Sequence, residues 1–295
     1  MITLPEINFT LLKNTAYAIV SGYRAIRSKP VVKELCNSSN PVVARVGKGL
    51  HEGLYGNASQ SAVAGLTQIE DRRRALLNTR ETIKVIDYGA GSSYEQRTEE
   101  QMKQGVQKTA AISNICKASK PARWAALLHH IVLCCEPKSA VELGSCVGIS
   151  GSYIASAMKN NGKGSLTTLE GSPEIARIAT ETFSTLGLAN AKVVAGAFHS
   201  TLSNVLEASK PIDFFFNDGH HDRDAVLRYF EQSLPYLSPN AVVAVDDITW
   251  STGMKSAWKT LRERKQVAAS VDLGKMGILI MGEPVPGKSQ FDMPL

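Results

Sequence analysis

Three short strand-like runs in this 295-residue chain stop abruptly at acids, and one of them, strongly apolar, stops at an acid and two histidines. The stretch from Ile212 to His221 reads Ile-Asp-Phe-Phe-Phe-Asn-Asp-Gly-His-His, so Asp218, His220 and His221 follow a short apolar core. Ala241 to Val245 ends at the pair Asp246-Asp247, and Ser165 to Leu169 ends at Glu170. Upstream, Ser139 to Leu143 runs into a turn containing Gly144, Ser145, Cys146 and Gly148, with Ser150 just beyond. A carboxylate can accept both hydroxyls of a ribose, an imidazole titrates near neutrality, and glycine lets a ligand approach the backbone.

Such residues act together only if the runs that carry them lie side by side. Strands buried on both faces of a parallel sheet read as near-continuous apolar runs, and ligands sit beyond their carboxyl ends. The intervening segments have helical spacing. Pro121 to Cys135 carries Ala125, Leu127, Leu128, Ile131, Val132 and Cys135, and a helix through Ile154 and Met158 follows the glycine turn. Ser172-Pro173-Glu174 reads as N-cap, N1 proline and first-turn acid of a helix bearing Ile175, Ile178, Ala179, Thr182, Phe183 and Leu186, with Gly187 at its end. Ala191 to Ala195 is a third strand, leading to Gly196-Ala197-Phe198. Helices with Ala225, Val226, Tyr229 and Phe230, and with Met254, Ala257, Trp258 and Leu261, follow the two acidic strand ends. Val267 to Leu273 and Met276 to Met281, joined tightly at Gly274-Lys275, predict an antiparallel hairpin. The alternation predicts an α/β fold around a parallel sheet.

Five αβ units closed by a hairpin resemble the class I fold of S-adenosylmethionine-dependent methyltransferases, a Rossmann-like, doubly wound seven-stranded sheet with a terminal antiparallel β-hairpin. Glu142-Leu143-Gly144 with Gly148 and Ser150 resembles the first motif of the catechol and caffeoyl-CoA O-methyltransferase branch, and the match covers about residues 120 to 283. The resemblance implies S-adenosyl-L-methionine as cofactor, bound by Glu142, Gly144, Ser145, Gly148, Ser150, Glu170, Gly196, Ala197, Phe198 and Asp218. Within that set Glu170 would bind the ribose hydroxyls, Gly144 would approach the methionine moiety, and Ala197-Phe198 would border the adenine.

A closer likeness is to bacterial enzymes that methylate sugars, with an acid-Gly-x-His motif after the fourth strand and paired acids after the fifth. The run Val245 to Ser251, with Met254 and Ala257-Trp258, also looks like a group of uncharacterised bacterial methyltransferases. In the metal-dependent members Asp218, Asp246 and Asp247 fall on the ligand positions, which implies Mg²⁺ or another divalent cation, since three converging carboxylates repel unless a hard cation joins them. His221, three residues beyond Asp218, then occupies the base position, and Asp218 is catalytic through the metal. The expected activity is O-methylation of a small hydroxylated acceptor: a sugar, natural product or catechol-like molecule. Two alternatives keep the fold: a metal-dependent hydrolase or hydroxylase, and a cofactor-binding subunit without catalysis.

The remaining residues have blander readings. Asp218 could be a turn residue before Gly219, and Asp246-Asp247 helix-capping acids. His220 could simply pack, Asp222 reads as an N-cap, His199 as a surface or cap residue, and Cys146 as a small filler. Trp250 either lines the acceptor pocket or covers the sheet end. Residues 1–118 read as a mainly helical extension serving as lid or oligomer contact, and 119–295 as the methyltransferase domain. In the extension, Leu11, Leu12, Tyr17, Ala18 and Tyr23 suggest one amphipathic helix, Pro30 and Pro41 flank another, and Gly47, Gly49, Gly53, Gly56 and Gly65 suggest a loose stretch. Val85 to Ser92 imitates a strand with a glycine-rich cofactor turn, but no apolar strand run follows it before Lys138, so it reads as a decoy.

The net charge of +6 is concentrated in the first third, at Lys13, Arg24, Arg27, Lys29, Lys33, Arg45, Lys48 and Arg72 to Arg74. Without interleaved aromatics this predicts a solvated helical face and no nucleic-acid partner. No run approaches the length of a membrane span. The five cysteines have no framework spacing, which predicts a reducing, cytoplasmic home. A homodimer is expected of this fold branch.

Overall fold

A strand as apolar as Ile212 to Phe216 must be covered on both faces, and the computed structural model shows the cover. Residues 27–56, 60–89, 91–92, 95–283 and 289–295 are described; the expected helix at Leu11 to Tyr23, together with Lys13, Arg24 and Tyr94, lies outside them. The chain begins with α1 (residues 27–36), α2 (Pro41–Tyr55) and α3 (Gln60–Asn78). A ribbon follows, of β1 (Thr82–Asp87), the two-residue β2 (Gly91–Ser92) and β3 (Glu95–Gln96), α4 (Glu99–Gln104) and β4 (Val106–Ala111). Then come α5 (Ile112–Lys117), α6 (Ala122–Cys135), β5 (Ser139–Leu143), α7 (Ile149–Asn160), β6 (Ser165–Glu170), α8 (Pro173–Thr185), β7 (Ala191–Ala195) and α9 (Phe198–Ser209). The last part holds β8 (Ile212–Asn217), α10 (Arg223–Ser233), β9 (Leu237–Val245), α11 (Thr252–Arg262), β10 (Val267–Asp272), β11 (Gly277–Met281) and β12 (Gln290–Asp292).

The main sheet has eight strands in the order β12-β10-β11-β9-β8-β5-β6-β7. Strands β5 to β9 run parallel, and β11 is antiparallel to both β9 and β10. The short β12 adds an eighth strand to the seven expected, parallel to β10. Phe214 and Phe216 enter the core shared with α1, α2, α6 and α7, whereas Phe215 enters the core under α9, α10 and α11. Chain order reverses between β5 and β8, so the crevice beyond their carboxyl ends is the switch point where ligands bind in such sheets.

Two expectations for the N-terminal third are corrected. The glycines of the supposed loose stretch lie in helices: Gly47, Gly49 and Gly53 in α2, Gly65 in α3, with Gly56 as the C-cap of α2. Asn40 caps α2 by accepting from the Val42 and Val43 amides, and Pro41 opens it. A Cβ on Gly49 would stand 2.6 Å from the Ile131 Cα, and one on Gly47 2.6 Å from the Cys36 nitrogen. Glycine is therefore the contact surface that lets α2 lie close against α1 and α6. The second correction concerns Val106–Ala111, which is a strand paired antiparallel with β1, Thr82 opposite Ala111 and Asp87 opposite Val106. Its polar run is mostly exposed or half-buried, so it lacks the apolar signature of a core strand.

Candidate active site

Gly144 marks the mouth of the crevice. It takes φ +93°, and a Cβ there would lie 2.6 Å from the Asp218 carbonyl oxygen. The Asp218 amide in turn donates to the Leu143 carbonyl at 3.0 Å. The two central strand ends are thus pressed together, with no room for a side chain between them. Beside them lies a cavity of about 420 Å³ lined by Gly144, Glu170, Gly171, Ala197, Phe198, Gly219 and His220, and by Val85 to Gly89 of the N-terminal ribbon. A wider groove of about 750 Å³, lined by Lys29, Lys33, Arg45, Lys48, His51 and Tyr55, shares no residue with it. Chemistry rather than size singles out the smaller one.

Glu170 is fixed by the turn it faces. One carboxylate oxygen accepts from the Cys146 amide and the other from the Ser172 amide, both at 3.0 Å. Burial pushes its carboxyl up to about 7 against these amides. Ser145 and Thr168 share a 2.7 Å hydroxyl contact behind the turn. Of the expected cofactor residues, Gly144, Glu170, Ala197 and Phe198 line the cavity. Glu142 and Ser150 are buried behind it, and burial pushes Glu142 up to about 7. Gly148 serves helix packing, since a Cβ there would stand 3.1 Å from the Ala179 Cα. Gly196 bonds through its amide to the Glu170 carbonyl at 2.9 Å.

The supposed decoy is part of the site. Asp87 ties its own turn together by accepting from the Gly89 amide, Arg97 and Lys108. Burial opposes ionisation of Asp87, but these donors bring its carboxyl down to about 2. The Tyr88 ring lies on Gly171, where a Cβ would be 2.6 Å from Cδ2. Ser172 caps α8 without a side-chain bond; its hydroxyl accepts from the Ile86 amide at 3.2 Å instead. His220 Nε2 donates to the Tyr88 carbonyl at 2.8 Å, and its Nδ1 accepts from the Tyr229 hydroxyl at 2.7 Å. Burial lowers its pKa, as this neutral arrangement requires. The end of β1 is therefore a wall of the cavity, held there by His220 and Ser172.

The acids at the ends of β8 and β9 meet a cation that the sequence did not suggest. Lys120 Nζ lies 3.2 Å from Asp218 Oδ1 and also bonds Asp246 Oδ2. It sits over the Phe216 ring at 5.7 Å, and its side chain is only 3% exposed. Burial and the Asp246 carboxylate push Asp218 well above the usual carboxylate range. Burial opposes the charge on Asp246 too, but the Lys120 ammonium and a hydrogen bond from the Asp218 carboxyl together hold Asp246 low. Asp247, at φ +51°, turns away to His221 Nε2 at 3.5 Å and Lys275 Nζ at 3.4 Å. Burial lowers the pKa of His221 despite the acids beside it.

These donors do not fit the divalent cation implied by the resemblance. An ammonium already joins Asp218 to Asp246, and Asp247 has other partners. Among the described residues no group of three His, Cys, Asp or Glu side chains is gathered to hold a metal. Nothing near Lys120 in the sequence marks it, because its partners are 98 and 126 residues away. Asp222 accepts from the Asp224 and Ala225 amides as N-cap of α10, and Ser251, rather than Asp246 or Asp247, caps α11. Trp250 is 69% exposed, so it does not cover the sheet end; its ring lies 6.3 Å from that of His221.

Residues 141–248 match the methyltransferase domain family. The eight-stranded, mainly parallel sheet has the Rossmann-like fold of methyltransferase structures. It is 27% identical over 146 residues to a catechol O-methyltransferase of Niastella koreensis, a match that covers 47% of this chain and 64% of that protein, less than two thirds of its length. Among solved structures, an O-methyltransferase from Bacillus cereus in complex with SAH superposes with a TM-score of 0.53 at 15% identity, covering 79% of this chain and 96% of that one. The SAH-bound methyltransferase PaMTH1 of Podospora anserina gives 0.52 at 14% identity, covering 96% and 99%. Among the described residues of the methyltransferase fold, no helix is long and apolar enough to cross a membrane.

Proposed function

We propose that this protein is an S-adenosylmethionine-dependent O-methyltransferase acting on a small hydroxylated acceptor. The observation that carries the reading is the crevice at the β5/β8 switch point, in which a side-chain-free Gly144 faces the buried, amide-held carboxylate of Glu170. Those residues fit the cofactor. Glu170 has lone pairs left for two ribose hydroxyls, and Gly144 leaves space for the methionine end. Phe198 and Ala197 supply an apolar wall for the adenine.

When bound, the cofactor supplies an electrophilic methyl group on a sulfonium. His221 takes the proton of the acceptor hydroxyl at Nδ1, while its Nε2 faces Asp247 Oδ2. The new imidazolium is stabilised by that carboxylate. Glu170 and Gly144 would hold the cofactor so that its methyl group is presented to the oxygen whose proton His221 receives. Trp250, exposed beside His221, offers a flat face for a sugar or aromatic ring. No step is routed through a metal, because the acids at this site already have cationic partners. The five unpaired thiols support a cytoplasmic setting.

Thermal unfolding with S-adenosylhomocysteine tests the reading. The ligand should raise the melting temperature, and Glu170→Ala should remove the shift. A wild-type protein that melts at the same temperature with saturating ligand sinks the proposal.

A further inference from the structure

Lys120 stands where a cation would be expected, and the fold is built to keep it there. Its backbone carbonyl accepts from Arg73 at 2.7 Å. Arg73 is itself held by Glu70 at 2.9 Å, and Glu70 accepts from the Tyr153 hydroxyl at 2.8 Å. A helix of the N-terminal extension thereby fixes the residue whose ammonium reaches the strand ends. The ammonium touches the two acids that end adjacent strands, and the third acid is occupied by Lys275 and His221. A dication entering between Asp218 and Asp246 would have to displace an ammonium of like charge from a buried position. Mg²⁺ sheds its waters reluctantly and demands octahedral oxygen ligands, so it competes poorly for such a site.

We propose that the Lys120 ammonium is a built-in substitute for the divalent cation, so that the chain positions Asp218 and Asp246, and through them the acceptor side of the crevice, without binding a metal. The proposal rests on the methyltransferase reading for its catalytic meaning, but not for its metal-binding consequence. Lys120 is a positioning residue. Its removal should uncover a carboxylate pair able to take a hard cation.

The test is a Mn²⁺ titration followed by the electron paramagnetic resonance signal of free Mn²⁺, on wild-type protein, Lys120→Ala and the double variant Lys120→Ala/Asp246→Asn. Wild type should leave the signal unchanged, Lys120→Ala should bind about one ion per chain at least about tenfold more tightly, and the double variant should lose that binding. Lys120→Met replaces Lys120→Ala if circular dichroism shows the latter unfolded. Wild-type Mn²⁺ binding that disappears in Asp246→Asn overturns the proposal without any Lys120 variant. So does a folded Lys120 variant that binds no more Mn²⁺ than wild type. The S-adenosylhomocysteine melting shift of wild type is read separately: its absence sinks the methyltransferase reading and leaves the metal result intact.

Discussion

His220 Nε2 donates to the Tyr88 carbonyl across 132 residues of chain, and the same ring accepts from Tyr229 and stacks on it with centroids 5.6 Å apart. One imidazole thus ties the loop after β8 to the N-terminal ribbon and to α10. Phe198 stands edge-on to both rings, at 5.5 and 5.7 Å. The wall proposed for the adenine and the ribbon over the crevice are therefore parts of one aromatic cluster.

His220→Ala removes both hydrogen bonds and leaves the Tyr88 carbonyl and Tyr229 hydroxyl to find water. The cost should be about 1–3 kcal/mol, most of it local to the ribbon. Amide exchange should quicken across residues 82–89 while α7 keeps its protection, and affinity for S-adenosylhomocysteine should fall. Unchanged exchange in the ribbon would show that the latch holds nothing.

Gly144 and Gly162 both have positive φ, at +93° and +68°, yet they differ in surroundings. A Cβ on Gly162 meets nothing within 4 Å, whereas one on Gly144 collides with the Asp218 backbone. Gly162→Ala should cost only the conformational term, about 1 kcal/mol. Gly144→Ala should cost more than that and should abolish the ligand-induced melting shift, which Gly162→Ala keeps. Equal losses from the two substitutions would mean that the close approach at the strand ends is unimportant.

What the sequence made legible was whatever buries apolar surface or ends a buried strand. The three phenylalanines of β8, the acid at the end of β6 and the closing hairpin all announce themselves through composition and spacing. The rest depends on contacts between distant segments. Gly49 looks like a helix breaker until Ile131 lies against it, and Val106–Ala111 is too polar to read as a strand. Lys120 is an ordinary lysine before a proline until the fold brings two acids to it. Tyr88 and His220 are inconspicuous in the sequence for the same reason: each is half of a contact.

Arg73 connects the extension to the site through the Lys120 carbonyl, so its loss should be felt at a distance. Arg73→Met keeps an apolar stem but takes the donor from that carbonyl and leaves the Glu70 carboxylate with the Tyr153 hydroxyl in place of its ionic partner. The expected cost is about 1–3 kcal/mol in urea unfolding, because a half-buried, charge-assisted donor is lost. Arg74→Met, whose pair with Asp71 is exposed, should cost less than about 1 kcal/mol. If the two variants unfold alike, the network does not anchor Lys120.

Glu142 gives the fold a pH dependence of definite sign. Its carboxyl ordinarily titrates at 4.5 and burial pushes it up to about 7, so the folded protein holds that proton more tightly than the unfolded chain does. Below pH 4.5 both states are protonated and this contribution to stability is complete. Between 4.5 and about 7 the unfolded chain ionises first, and stability falls by about 3 kcal/mol as the pH rises. Glu142→Gln cannot titrate. The stability of wild type relative to Glu142→Gln should therefore decline across that window and level off above it. Glu170, pushed up chiefly by burial to a similar value, is present in both proteins, so only the minor part of its shift that the Glu142 charge causes remains in the difference. Urea unfolding at a series of pH values from 4 to 8 measures it, and parallel profiles for the two proteins would show that Glu142 keeps an ordinary carboxylate pKa in the folded state.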